Sequence, residues 1–80
     1  MKIRLGVISE EHNINILQEV IEEYNDYEIT AFIDPDGTHT LNIIDNHQQE
    51  FDSWLVFDQI NYLHIKNWGK AQEPVYYIPY

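Results

Sequence analysis

The sequence predicts a small α/β domain built on a parallel, doubly wound sheet. Three observations predict it. Apolar runs of strand length alternate with stretches of helical periodicity along the 80 residues. That alternation gives parallel strands joined by right-handed crossovers. The third apolar run, Trp54-Leu55-Val56-Phe57, has no polar interruption, as expected of a central strand covered on both faces.

Residues 2–8 form the first predicted strand. Ile3, Leu5 and Val7 share one face, and Gly6 and Ile8 end the other face without charge. Gly6 is expected to admit a close-packed helix. Ser9-Glu10-Glu11-His12-Asn13 follows as loop and helix start, with Ser9 and Asn13 as candidate N-caps. Residues 13–24 then carry Ile14, Leu17, Ile21 and Tyr24 at helical spacing, widened by Ile16 and Val20.

Residues 27–33 are the second strand, and Glu28 and Thr30 on one face predict an edge position. Asp34-Pro35-Asp36-Gly37 is a turn, since Pro fixes φ and Gly supplies positive φ. A second helix, capped by Thr38 or Thr40, is expected to run to about Gln49 with Leu41 and Ile44 inward. Residues 51–57 are the third strand. A third helix over 60–68 is expected to turn Ile60 and Leu63 inward and to end at Gly69 as its C′ glycine. Residues 75–78 are the fourth strand. The predicted sheet has four strands in the order 2-1-3-4, helices on both faces, and hence the flavodoxin-like form of the doubly wound fold. Because the chain closes on a strand, residues 1–80 read as a single domain and as the opening part of a longer α/β protein.

Composition bounds the function. The apolar fraction of 44 % and eleven aromatic residues describe a globular chain. With no cysteine there is no disulfide framework, zinc ribbon or thiol nucleophile. No apolar run is long enough to cross a bilayer, and the N-terminus reads as a strand rather than a signal peptide, so a cytoplasmic protein is expected. Fourteen acidic residues oppose four basic ones, for a net charge of −10. Nucleic acid and anionic membranes are therefore poor partners; the acidity is read first as serving solubility, with a basic partner or domain as the sharper alternative.

Open α/β sheets bind ligands at the carboxyl ends of their strands, where strand order reverses. Here that crevice lies between strands 1 and 3. Ser9, Glu10 and His12 on one side, and Asp58, Gln59 and Asn61 on the other, are the candidate ligand-binding residues, with Asp34 and Asp36 flanking. The first loop has no glycine and two carboxylates, which excludes a phosphate cradle. No cofactor is expected. The histidines His12, His39, His47 and His64 lack metal-ligand spacing. Ser9, His12 and Asp58 are the residue types of a triad, but no spacing orders them, so no catalytic residue is assigned. One alternative is a receiver-like phosphoacceptor domain, with Glu10, Glu11 and Asp58 around a hard cation and Asp58 as the acceptor. At the other end, Val75, Tyr76, Tyr77, Ile78 and Tyr80 are the candidate interface, because aromatic side chains dominate buried contacts and a terminal strand leaves an open edge.

Residues 2–8, the Asp52-Ser53-Trp54-Leu55 run through Tyr62, and Pro74-Val75-Tyr76-Tyr77-Ile78-Pro79 together resemble the N-terminal, sensor-like α/β domain of certain Firmicute transcriptional regulators. The pattern in that group is an Asp-x-Trp-Leu-Phe strand, a Ser-Gly-x-x-Pro-Tyr loop and a Lys-Pro-x-x-Tyr-Ile-Pro strand. This chain keeps Asp52, Trp54, Leu55, Tyr62 and the run from Pro74 to Pro79, and carries Phe57-Asp58-Gln59-Ile60-Asn61 in place of the Ser-Gly-Pro element. The resemblance implies a non-enzymatic regulatory or sensing module. It would act through a small molecule or a protein contact, as a homodimer or through a C-terminal output domain.

Overall fold

The computed structural model describes residues 2–79. Its elements are β1 (Ile3–Ser9), α1 (Glu11–Ile21), β2 (Tyr27–Ile33), α2 (Thr40–Asn46), β3 (Ser53–Val56), α3 (Gln59–Trp68) and β4 (Val75–Tyr77). Every pairing is parallel and the strands lie in the order β2-β1-β3-β4. The predicted flavodoxin-like sheet is the observed one. Tyr80 lies outside the described residues. Among the described residues no helix is long and apolar enough to cross a membrane.

The period of two divides the core into two layers. On one face Leu5 and Val7 of β1 pack under Ile14 of α1, with Leu17, Ile21, Ile29, Ala31, Leu55 and Phe57 around them. On the other face Ile8, Trp54, Val56 and Val75 meet Ile44 of α2 and Ile65 of α3. Trp54, Ile44, Ile65, Val7 and Val56 are all but inaccessible to solvent. Each such side chain contributes about 1.5–3 kcal/mol relative to exposure. The unbroken run at 54–57 is explained by this division: Trp54 and Val56 serve one layer, Leu55 and Phe57 the other.

Gly6 has a different role from the one its sequence implies. The indole of Trp54 and the ring of Phe51 pack over it, not a helix backbone. Phe32, Phe51 and Trp54 then form an aromatic group with ring centroids 4.9–5.9 Å apart, within the range of favourable edge-to-face contact.

The start of α1 and both ends of α2 depart from the local signals. Ser9 is the buried last residue of β1, and Glu10 is the N-cap of α1, with no side-chain capping bond. α2 is capped neither by Thr38 nor by Thr40. Its cap is the Asp34 carboxylate, whose Oδ2 accepts from the His39 amide at 3.0 Å and the Thr40 hydroxyl at 2.7 Å. A longer-range cap replaces the local one because the turn folds Asp34 back beneath the helix start.

α2 also ends early, at Asn46 rather than near Gln49. The polar residues beyond it form a clamp on the α3–β4 loop. Gln48 donates to the Lys70 carbonyl (2.8 Å) and accepts from the Gln72 amide (3.1 Å). Gln49 adopts a left-handed φ of 70°; its side chain donates to Gln72 and its amide to the Glu73 carboxylate.

In α3 the inward stripe is Ile65 with Tyr62 and Trp68, while Ile60 and Leu63 face solvent. The helix is rotated from the predicted setting because the large rings of Tyr62 and Trp68 fill more of the space above β3 and β4. Asp58 caps its start by accepting from the Ile60 amide at 2.9 Å, and Gly69 closes it at φ 68°.

Candidate functional site

The carboxyl edge of the sheet gathers the ends of three strands. Ser9 closes β1, Asp34 follows β2 and Asp58 follows β3. The edge is stitched together by the Asp34 amide, which donates to the Ser9 carbonyl at 2.9 Å. Both α1 and α3 begin here, so two helix N-termini face the same crevice. This is where the strand order reverses, on either side of β1.

A crevice of about 200 Å³ opens there, lined by Ser9, Glu10, Asn13, Asp34, Asp58 and Asn61 with Ile8, Pro35 and Phe57. Four of the six residues expected from sequence thus line one cavity: Ser9, Glu10, Asp58 and Asn61. His12 and Gln59 are exposed and do not line it, because the first turns of α1 and α3 carry them outward. Asn13 and Asp34 join instead. Asn13 reaches Ser9 with an amide-to-hydroxyl bond of 3.0 Å, the kind of link its spacing of four residues permits.

Asp34 is the most constrained group of the site. It is 3 % exposed. Its Oδ2 is fully used on α2, while Oδ1 is buried with no hydrogen-bond partner among the described residues. A buried polar atom left without a partner loses about 1–3 kcal/mol, so such atoms are uncommon. In the sequence Asp34 reads as the first residue of a turn that flanks the crevice; its burial depends on α2 folding over it.

Neighbouring groups narrow the chemistry. The Ser9 hydroxyl is bonded to Asn13 and the Asp58 carboxylate to the α3 amide, so Ser9, His12 and Asp58 are not linked as a triad. Among the described residues no group of three acidic or histidine side chains is arranged to hold a metal ion. In the adjoining turn the Asp36 carboxyl lies below its ordinary value of 3.8, chiefly through its hydrogen bonds from the Thr38 side chain and amide. Gly37, at φ 73°, is covered by the Asn61 side chain, which ties this turn to α3.

A second, larger groove of about 540 Å³ lies across the β1–β2 face beyond the end of α2, lined by Arg4, Thr30, Phe32, His47, Glu50 and Phe51 among others. It exists because α2 stops at Asn46 and leaves Phe32 beside His47, Phe51 and Trp54, 4.8, 5.9 and 5.7 Å away between ring centroids.

The candidate interface residues divide by the strand period. Val75 is buried in the core and Tyr77 is half-buried beside Tyr62, with 5.9 Å between rings. Ile78 is half-buried and donates its amide to Val56 at 2.9 Å. Tyr76 is 54 % exposed. Comparison of the chain with protein-family models, with curated proteins and with solved structures finds no match.

Proposed function

We propose that the protein is a non-catalytic sensing module, the ligand-recognition part of a cytoplasmic bacterial transcription regulator, and that a small molecule occupies its carboxyl-edge crevice. One observation carries the reading: the crevice lies where the strand order reverses and is lined by a buried carboxylate with an oxygen the protein leaves unbonded. A preformed cavity with a few convergent polar groups is the usual form of a ligand site. The resemblance to regulator sensor domains agrees with it. The receiver-like alternative gains less support, because Asp58 is engaged as the α3 cap and the acidic side chains do not assemble into a cation cluster.

The test is a backbone-amide NMR titration of the protein with a metabolite panel covering cations, anions and neutral polar compounds. Binding should shift the amides of Ser9, Asp34 and Asn61 together. A panel that shifts none of them would end this reading.

A second reading, contact with another protein, is favoured by the face that α1 leaves open. There Tyr76 stands exposed beside Leu55, its partner in the β3–β4 register. β4 is only three residues long and lies between Pro74 and Pro79, features that discourage strand pairing. The contact is therefore made by side chains on this face. The net charge of −10 favours a basic output domain or partner over a second copy of the chain. Sedimentation velocity should give a monomer at 0.15 M salt; a dimer would overturn the preference for a basic partner.

A further inference from the structure

We infer that the part of the sheet face beyond α1 seats an amphipathic helix of a partner protein, one with lysine or arginine along its polar side. The inference rests on the reading of this face as a protein contact and adds the form and charge of the partner.

The sheet sets the requirement. An all-parallel sheet is found with both faces covered. On one face α2 and α3 supply the cover, through Ile44 and Ile65 over β1, β3 and β4. On the other, the described residues supply α1, which packs on β1 and β2. A helix is about 10 Å across and neighbouring strands stand about 4.8 Å apart, so one helix roofs two strands. In the order β2-β1-β3-β4 this leaves a strip over β3 and β4, with the width of one more helix.

The strip is apolar. Leu55 of β3 is half-buried at the border of the α1 layer. Its register partner Tyr76 on β4 is 54 % exposed. α1 supplies the side wall. Its Ile14, Leu17 and Ile21 point to the sheet, and Gln18 and Glu22 line a groove with Tyr27 and Ile29 of β2. At about 100° per residue, Ile16 and Val20 fall on the opposite flank, toward β3. Val20 is 52 % exposed and Ile16 half-buried. Apolar side chains exposed singly are ordinary, whereas these four border one strip.

The form of the occupant follows. β4 is three residues long between two prolines, which discourages an added strand. What stands open is the face, and a helix fills such a groove with side chains at i, i+3, i+4 and i+7.

Charge selects the other side of that helix. Glu19 borders Ile16 and Val20 on the outer surface of α1. The four basic residues stand elsewhere. Lys2 lies with Tyr24 and Tyr27 in the groove on the β2 side of α1. Arg4 lines the groove on the opposite face of the sheet. Lys66 lies over the Tyr62 ring, and Lys70 is in the loop held by Gln48. In a chain of net charge −10, this face attracts a basic segment and repels a second copy.

The test is an amide NMR titration at 0.15 M salt with three peptides of about five helical turns. One has leucine at helical spacing with lysine between. The second has glutamate in place of lysine, and the third is a scramble of the first without an apolar stripe. The lysine peptide should shift Ile16, Val20, Leu55 and Tyr76 and bind ten-fold or more tighter than the other two. Tyr76→Ser and Val20→Ser, both at exposed positions outside the core, should each weaken it three-fold or more. Glu19→Lys should weaken it by about two- to five-fold, the worth of one exposed ion pair. Equal binding of the scramble would reduce the effect to bare charge attraction and overturn the inference. Equal binding of the glutamate peptide at these residues would overturn the basic partner and leave the face a contact site. So would a dimer in sedimentation that Tyr76→Ser returns to monomer, which assigns the strip to a second copy. No shift at these residues from either striped peptide would overturn both the inference and the reading of the face as a protein contact.

Discussion

The six-membered ring of Trp54 occupies the place a side chain at Gly6 would take: a Cβ there would lie 2.6 Å from Cε3 and Cζ3 of the indole. The two residues are register partners on neighbouring strands, and Trp54 is wholly buried. Neither β1 backbone nor indole has room to move. Gly6→Ala should therefore destabilise the fold by about 1–3 kcal/mol, the range for overpacking a filled core. Urea unfolding should show a lowered midpoint at unchanged slope. An unchanged midpoint would mean that the ring is not held against Gly6.

Thr40 and Asp34 form the buried join between the site and α2. Thr40→Val keeps the shape but removes the donor to Asp34 Oδ2. The loss expected is about 1–3 kcal/mol, since a buried carboxylate oxygen is left short of a bond. Thr40→Ser keeps the hydroxyl and should recover most of it. Equal stabilities for the Val and Ser variants in urea would exclude the hydroxyl as the reason for the position.

Asp36 gives a pH signature. Its folded pKa lies below 3.8 because the Thr38 side chain and amide bond its ionised form. A depressed carboxyl pKa stabilises the fold above the unfolded value, and that contribution is lost as pH falls through the lowered folded value. Side-chain carbonyl NMR should find Asp36 titrating below a free aspartate. Thr38→Val should move it upward. A variant with the wild-type titration would assign the shift elsewhere.

Asp58 is expected to act as a helix cap and not as a phosphate acceptor. Asp58→Ala should destabilise the protein by about 1 kcal/mol, with Asp58→Asn close to wild type. Acetyl phosphate with Mg²⁺ should leave the wild-type mass unchanged. An adduct absent from Asp58→Asn would restore the receiver-like alternative.

Much of the fold was legible locally because it rests on period. The alternation of Ile3, Leu5 and Val7, the helical stripe of Ile14, Leu17 and Ile21, and the solid run at 54–57 each state which faces are covered. Elements whose role depends on distant residues were not legible. Residues 47–50 are polar without pattern and read as a weak helix end, yet Gln48 and Gln49 clamp the α3–β4 loop more than twenty residues away. Ile60 and Leu63 match an inward stripe by spacing, but Tyr62 and Trp68 displaced them.

The site divides the same way. The sequence by itself determined which strand ends meet, because alternating strands and helices with one central strand admit few topologies. It therefore brought Ser9, Glu10, Asp58 and Asn61 to one edge. The tertiary structure alone decided that Asp34 is buried, since this required the turn at 34–37 to fold under α2 and Asn61 to cover Gly37. It also decided that His12 and Gln59 leave the crevice. Strand order follows from pattern, whereas the direction of a side chain at a helix start follows from the packing of the helix, which no local stretch of sequence contains.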